Sequence, residues 1–444
     1  MNFEVLMKSH LKRNILIGAA VIFVISACIL TFSLAKYRTT KSIQIAKGTI
    51  DYARYDFKVM AMYQEGETGY TETEEMPGDN YVINEEKSYC TIDNKNKDPN
   101  AKLYTLSTGE HVMQGLKKNS KCYLYFDERI CKIGDTVCNT IMANITTIDQ
   151  RTDFSETVTE ETTGKIYKAY DNDGPTYYFA GNPTDNWVEF AGYYWRIIRI
   201  NGDGSIRLIY SGDSESGPVT TGTSTSIGSS LFNENNNDNA YVGYMYGSPG
   251  SITYEETHAN QHDSRIKTVV DEWYQNNLLS YDEYISKESG FCGDRSIHAE
   301  DTGYGTKVTT YRAYRRIIRD KNPTFKCNDN DLYTVKNTNQ GNQALTYPIG
   351  LLAVDEAMYA GGDYNQNNLN YYLYTNITYA TMSPADFNYN RSGIFYIDNK
   401  GWINGDFGYS GKNQNFNIRP VINLHADITL SGSGTSSDPY KLTA

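Results

Sequence analysis

In residues 193–212, YYWRIIRINGDGSIRLIYSG, two β-branched-rich apolar runs flank the polar turn Asn201-Gly202-Asp203-Gly204. That pattern predicts a hairpin with a tight turn. Trp195 and Ile197 fall on one face of the first strand and Ile198 and Ile200 on the other, so this strand is expected to be covered on both sides. Arg196, Arg199 and Arg207 sit among these apolar residues. A buried guanidinium needs a partner and an exposed one does not, so they read as structural arginines, solvated or paired with carboxylates.

Further along, the period changes. Ile266, Val269, Val270, Trp273 and Tyr274 recur at helical spacing and predict a helix over 264–277, capped by Asp263 or Ser264. Leu278, Leu279, Tyr281 and Ile285 continue it or open a second. Residues 348–358 read as a turn into a helix with Leu351, Leu352, Val354 and Met358 facing the core. Asp355 and Glu356 are adjacent there, so they point about a hundred degrees apart. A capped, solvated helix face is the expectation for them.

Short alternating runs separated by Gly, Pro, Asn and Asp clusters fill residues 48–130 and predict a small β-sandwich module. Residues 131–165, rich in Thr, Glu and Asp, read as a linker that opens with a short helix over 139–148. Residues 217–238 read as a surface loop and 361–417 as a loop-rich region with a strand over 393–397. Strands over 419–424 and 440–442 would close the fold.

Before all of this, an uncharged run of twenty residues opens at Ile15 and closes at Leu34 (15–34), preceded by Lys8, Lys12 and Arg13. Its length matches a bilayer-spanning helix better than the shorter apolar core of a signal peptide. The expectation is a cytoplasmic tail of residues 1–14 and a transmembrane signal anchor of residues 15–34; Ser33-Leu34-Ala35 leaves cleavage open. Lys36, Arg38 and Lys41 nearly balance the charges before the span, so orientation rests on the cysteines. Cys28 lies inside the span. The other six are Cys90, Cys122, Cys131, Cys138, Cys292 and Cys327, with no Cys-x-x-Cys pair. An even set of this kind fits disulfides in an extracytoplasmic space better than a metal or redox centre. Several connectivities are open, and the modular division of the chain favours Cys90 with Cys122, Cys131 with Cys138 and Cys292 with Cys327.

Composition narrows the function classes. The chain has 444 residues, 39% hydrophobic, with a net charge of -12, which argues against nucleic acid because phosphate binding needs clustered Lys and Arg. Thirty-nine tyrosines suit a carbohydrate-stacking surface, although AT-rich codon usage is the simpler explanation.

Four stretches carry a family resemblance: FAGYYWRIIRINGDGSIRLIY, FCGDRS, TYPIGLLAVDEAMYAGG and IRPVINL. Over residues 166–442 the chain resembles a large group of uncharacterised cell-surface proteins of low-GC Gram-positive bacteria. The resemblance implies an α+β, C-type-lectin-like domain over 166–444, related to formylglycine-generating enzymes, with a hairpin, two helices and long ligand-facing loops ending in an Arg-Pro strand. The chain departs from that superfamily where chemistry would lie. It has no cysteine after Cys327, so the sulfatase-activating reaction is expected to be lost. The calcium words Glu-Pro-Asn and Trp-Asn-Asp are missing, and Ala380 stands where related sequences tend to have Trp.

Other chemistry is sparse. His258 and His262 share a helical spacing near Glu255 and Asp263, but no third histidine and no His-Glu-x-x-His accompanies them, so surface histidines are expected. No Gly-x-Ser-x-Gly elbow occurs. The Asn201–Gly204 and 170–174 stretches have calcium-like residues but read as turns. The leading expectation is therefore a membrane-anchored extracellular binding protein without catalysis or cofactor, contacting a glycan or a surface protein through Trp402, Tyr379 and Tyr409. The alternatives are a cell-wall or glycan-modifying hydrolase using Asp355 and Glu356, and a structural surface-matrix component.

Overall fold

The computed structural model describes residues 57–92, 95–336, 340–388, 390–405 and 414–443. The expected span over 15–34 lies outside them, as does Tyr409. Among the described residues no helix is long and apolar enough to cross a membrane. The chain is α+β, rich in sheet with few helices, and divides into two compact units, one built mainly from residues up to Phe126 and one from residues 127–443.

In the first unit the strand Lys121–Glu128 alternates strictly. Cys122, Leu124 and Phe126 are buried while the residues between them are not, as a sheet with one face on a core requires. Its sheet runs in the order Thr71–Thr73, Lys58–Gln64, Lys121–Glu128, Tyr81–Ile83, with Tyr89–Thr91 also pairing Lys121–Glu128. A separate hairpin, Lys102–Thr105 with His111–Gln114, forms a second layer. Its His111 ring stands edge-on to Phe126 at 5.0 Å, and its Thr105 Oγ1 accepts from the Ile83 amide at 2.7 Å. Cys90 and Cys122 are register partners and are bridged.

The second unit is organised around the predicted hairpin. Tyr193–Ile200 pairs with Trp187–Phe190, Gly174–Tyr178 and Ile206–Asp213, and Trp195, Ile197, Ile198 and Ile200 are all buried. Both faces are covered because apolar side chains occupy both. The sheet continues through Lys165–Asp171 to Thr147–Asp149 on one side and through Tyr440–Leu442 to Leu430–Ser431 on the other. At the turn the Asn201 amide donates to Ser205 O (2.8 Å) and Gly204 N to Asn201 O (2.9 Å). Gly204 has φ +91°, a left-handed conformation that favours glycine, and a Cβ there would push the Asp135 carboxylate aside.

A second sheet runs Ser229–Ser230, Phe416–Asn417, Tyr379–Asn388, Arg391–Ile397, Ile403–Asn404, with Thr309–Thr310 on Tyr379–Asn388. Register slips around Pro384, where the ring removes a ladder donor. The predicted helix is Arg265–Asn277, with Ser264 Oγ accepting from the Lys267 amide. Ile266, Val270 and Tyr274 are fully buried, and Leu279–Tyr284 follows as a 3₁₀ turn. The helix after Pro348 is Val354–Tyr359.

Two polar-looking stretches differ from expectation. Within 131–165 lies a helix, Thr136–Met142, earlier than the one expected over 139–148, and Val137, Cys138, Ile141 and Phe154 join the core of the second unit. A few apolar anchors and the Cys131–Cys138 bridge outweigh the Thr/Glu/Asp composition. Phe232 and Thr225, in the expected surface loop, are fully buried. The third bridge joins Cys292 to Cys327. Three disulfides fit an extracellular or secreted protein.

Candidate ligand-binding groove

Tyr379 and Trp402 do not form a common surface, and Tyr409 lies outside the described residues. Tyr379 is fully buried. Its hydroxyl donates to Leu373 O at 2.8 Å and its ring lies 5.0 Å from the Arg419 guanidinium. It is a core residue that opens the Tyr379–Asn388 strand, and its expected ligand contact is corrected on that ground. Trp402 is half-buried, with Lys400 Nζ 5.4 Å from its ring.

Asp355 and Glu356 are not solvated. Both are buried. Arg316 holds Asp355 through Nε at 2.7 Å and Nη2 at 2.8 Å, and the Thr324 amide adds a third bond at 2.9 Å. Glu356 pairs with Arg207 and lies 3.6 Å from Arg199 Nε, while its other oxygen accepts from the Ala353 amide. Their acceptor capacity is met by guanidinium and backbone, so Arg199 and Arg207 are carboxylate-paired structural arginines. Arg196 bonds instead to Asn186 Oδ1 and Pro183 O and stacks on Trp187.

The two turns with calcium-like residues meet in one cleft of about 110 Å³, lined by Asp171, Asp173, Asn201, Asp203 and Glu288 among others. Its oxygens are largely committed. Asp171 accepts from Arg199 Nη1 (2.7 Å) and the Gly202 amide (2.8 Å), and Asp203 accepts from Ser205 N and Oγ and from Ser289 Oγ. Burial, and then the charges of Asp171 and Asp203, push the Asp173 carboxyl up to about 6. Among the described residues no group of three His, Cys, Asp or Glu is placed to hold a metal ion.

The larger concavity lies elsewhere in the second unit, a groove of about 780 Å³ lined by Tyr254, His258, Arg295 and Arg312 and by four asparagines, Asn260, Asn328, Asn330 and Asn342. Three stretches of chain, 254–260, 295–297 and 328–331, build most of it, and Arg312 and Asn342 complete the lining. The short helix Tyr254–Thr257 is capped by Thr253 Oγ1, and Tyr254 donates its hydroxyl to Arg295 O at 2.8 Å. Arg295, 1% exposed, ties the stretches together: Nε to Asp331 Oδ1 (2.7 Å), Nη1 to Asn260 Oδ1 (2.8 Å) and His258 O (3.1 Å), Nη2 to Asn330 O (3.2 Å). Asn260 adopts φ +55°, a left-handed conformation that asparagine tolerates better than most residues. The Cys292–Cys327 bridge and the pairing of Phe291–Cys292 with Leu332–Tyr333 bring the 328–331 turn opposite Arg295.

His258 is buried rather than on the surface as expected. Its Nε2 lies 2.9 Å from Gly303 O. A carbonyl only accepts, so Nε2 carries the proton and Nδ1 is a bare acceptor, without a hydrogen-bond partner in the structure. Burial, and then the Arg295 charge, push its pKa down to about 3, so the ring is neutral at physiological pH. His262 is exposed in a separate two-residue strand.

The groove's polar groups are chiefly amides and backbone, and its acid and base side chains are mostly paired. Asn328 is bonded to Ser296 and Asp331, Asn342 to Asn330 O and Ala344 N. Asn330 is exposed, and its side-chain amide has no partner among the described residues. Sequence reading passed over these residues; the signal was the Asn-Asp-Asn-Asp word after Cys327, whose neighbours become visible only once the bridge is placed. In comparisons with known proteins, no protein-family model, curated protein or solved structure matches this chain.

Proposed function

We propose that this protein is an extracellular binding protein, tethered by residues 15–34, whose second unit holds a glycan in the asparagine-lined groove without transforming it. The observation that carries this reading is the wall chemistry of a groove of about 780 Å³. Asparagine amides donate and accept at once, as vicinal sugar hydroxyls require, and a tyrosine face adds apolar contact. The resemblance to lectin-like surface proteins supports the same reading, as do the three disulfides.

Binding here depends on placement rather than on reactive groups. Arg295 ties its own stretch to two others, 258–260 and 330–331, so these walls are held before a ligand arrives. An open polar groove exchanges bonds with water for bonds with sugar, and the expected affinity is micromolar, about -8 kcal/mol. The test is a glycan screen with the purified full-length chain, followed by titration of Asn330→Ala. This substitution removes an amide that makes no internal bond, so it should raise Kd about fivefold, the weight of one hydrogen bond, and leave the melting temperature unchanged. A screen without a glycan ligand, or a Kd indifferent to Asn330→Ala, would overturn the proposal.

A further inference from the structure

The asparagine groove adjoins a second depression, and Arg312 lines both. The second has a volume of about 380 Å³ and is walled by His298, Arg315, Arg316, Asp320 and Asn322 as well as Arg312. The helix Arg312–Ile318 that forms this boundary buries Ala313 and Ile317. Arg312 and Arg315 on the helix and Arg319 at its C-cap recur at intervals of three and four residues and are exposed. They therefore form a stripe along one side of the helix.

The arginines of this segment are not equivalent. Arg316 turns inward to Asp355 and Asp294 and is an internal pillar. Arg312 uses only Nε, which donates to Ile297 O at 3.1 Å; its two terminal nitrogens have no partner among the described residues. The Arg319 side chain has none either. Arg315 lies against His298 Nε2 at 3.0 Å and 3.4 Å from Asp320. Both members of that ion pair are half-exposed, and such pairs hold weakly against a competing anion. Apart from Asp331, which is paired with Arg295, two carboxylates work the other way, Glu255 in the groove and Asp320 in the depression. Arg312 and Arg315 stand in these linings, and Arg319, outside both, continues the exposed row along the helix. In a chain of net charge -12 such a stripe is a local arrangement, not a general basicity, and guanidinium presents paired donors that match carboxylate and phosphate oxygens.

We infer that the ligand of the groove is an acidic glycan or polyol, a hydroxyl-bearing chain with carboxylate or phosphate groups, whose hydroxylated units lie against the asparagines and whose charges are met by Arg312, Arg315 and Arg319. This rests on the glycan reading of the groove and adds the sign of the ligand's charge.

The experiment uses the full-length chain with four probes: polygalacturonate, its fully methyl-esterified form, poly(glycerol phosphate) and inorganic polyphosphate. The ester keeps the sugar backbone and removes the charge; polyphosphate keeps charge and removes the sugar. One or both acidic polymers should bind at least about tenfold tighter than the ester, a preference worth about 1.4 kcal/mol, and weaken as salt rises. Which of the two binds better identifies carboxylate or phosphate as the acid. The exposed triple substitution R312Q/R315Q/R319Q should abolish the preference while leaving the melting temperature in place, and Asn330→Ala should weaken acid and ester alike. Equal affinity for polygalacturonate and its ester, with no tighter binding of poly(glycerol phosphate), would overturn the charge inference, and the glycan reading would survive if Asn330→Ala still weakened both. Polyphosphate binding as tightly as either acidic polymer would overturn the acidic-glycan inference in favour of a plain polyanion surface. Failure of polygalacturonate, its ester and poly(glycerol phosphate) all to bind would overturn the acidic-ligand inference, and the glycan reading would then stand or fall on the wider screen.

Discussion

Arg316 grips Asp355 at both carboxylate oxygens, with Nε at 2.7 Å from one and Nη2 at 2.8 Å from the other. This contact joins the helix Arg312–Ile318 to the helix Val354–Tyr359 and converts an acid pair that looks catalytic in sequence into a fastening. Glu356 does the same for Arg207 and Arg199. Removing one partner of a buried pair leaves a charge without compensation, at a cost of about 3 to 5 kcal/mol. Glu356→Ala strands Arg207, 1% exposed, and should fall at the upper end. Asp355→Ala leaves Arg316 with Asp294 and should cost clearly less. Denaturant melts of the two variants check the order; equal losses would contradict it.

Stability should depend on pH through two groups of opposite sign. Asp173 is raised from 3.8 to about 6 by burial and by Asp171 and Asp203. Between those values the folded chain holds more protons than the unfolded one, so this group's contribution falls as pH rises from about 4 to 6. His258 is lowered from 6.5 to about 3 by burial and by Arg295. The unfolded chain then holds more protons, and stability is lost as pH drops from about 6.5 towards 3. Melting temperature against pH for Asp173→Asn and His258→Asn, each compared with the parent, separates the slopes. If Asp173→Asn changes nothing above pH 6, the Asp173 account fails.

Trp195 is fully buried with Nε1 donating to Phe190 O at 3.1 Å, and it meets Tyr210 and Trp273 edge-on. Trp195→Ala should destabilise the second unit by about 3 to 5 kcal/mol. Trp402, half-buried in the loop after Arg391–Ile397, should cost less. Chemical denaturation of both variants measures the difference.

The Cys292–Cys327 bridge closes a stretch with a sequence separation of 35. Replacing both cysteines by serine should cost about 3 to 4 kcal/mol and weaken glycan binding, because the 328–331 turn is held opposite Arg295 from that bridge. Peptide mapping without reductant tests the pairing itself. Retained affinity in the double serine variant would show that Arg295 alone positions the groove.

Protease treatment of intact cells should release the region after Lys47 if residues 15–34 anchor the chain with its disulfides outside. Protection until lysis would reverse the orientation.

Elements with a clean local pattern were legible in sequence. The helix Arg265–Asn277 was readable because burial of one face leaves its period in the chain, and the hairpin because two apolar runs flank the turn Asn201–Gly204. Partnerships were not. Asp355 and Glu356 looked solvated because Arg316, Arg199 and Arg207 come from other elements, and nothing local marks a carboxylate as buried. Tyr379 looked ligand-facing because a tyrosine in a Gly- and Asn-rich region carries no sign of which way its ring turns. The groove was hidden for a related reason: its asparagines come from stretches that meet only when Arg295 and the Cys292–Cys327 bridge bring them together.

The strand Tyr440–Leu442 lies parallel to Trp187–Phe190, one strand away from the centre of the main sheet. Nearby, Asn144 bonds the Tyr440 hydroxyl at 2.8 Å, and Thr136 and Val137 bond the carbonyls of Ile428 and Ala426. A helix and a strand thus wait for partners that leave the ribosome much later. Until residue 442 has been synthesised and exported, Trp187–Phe190 presents an open edge on which nascent copies can pair with one another. Completion is a long-range, slow event, and the growing chain depends on whatever shields that edge during secretion.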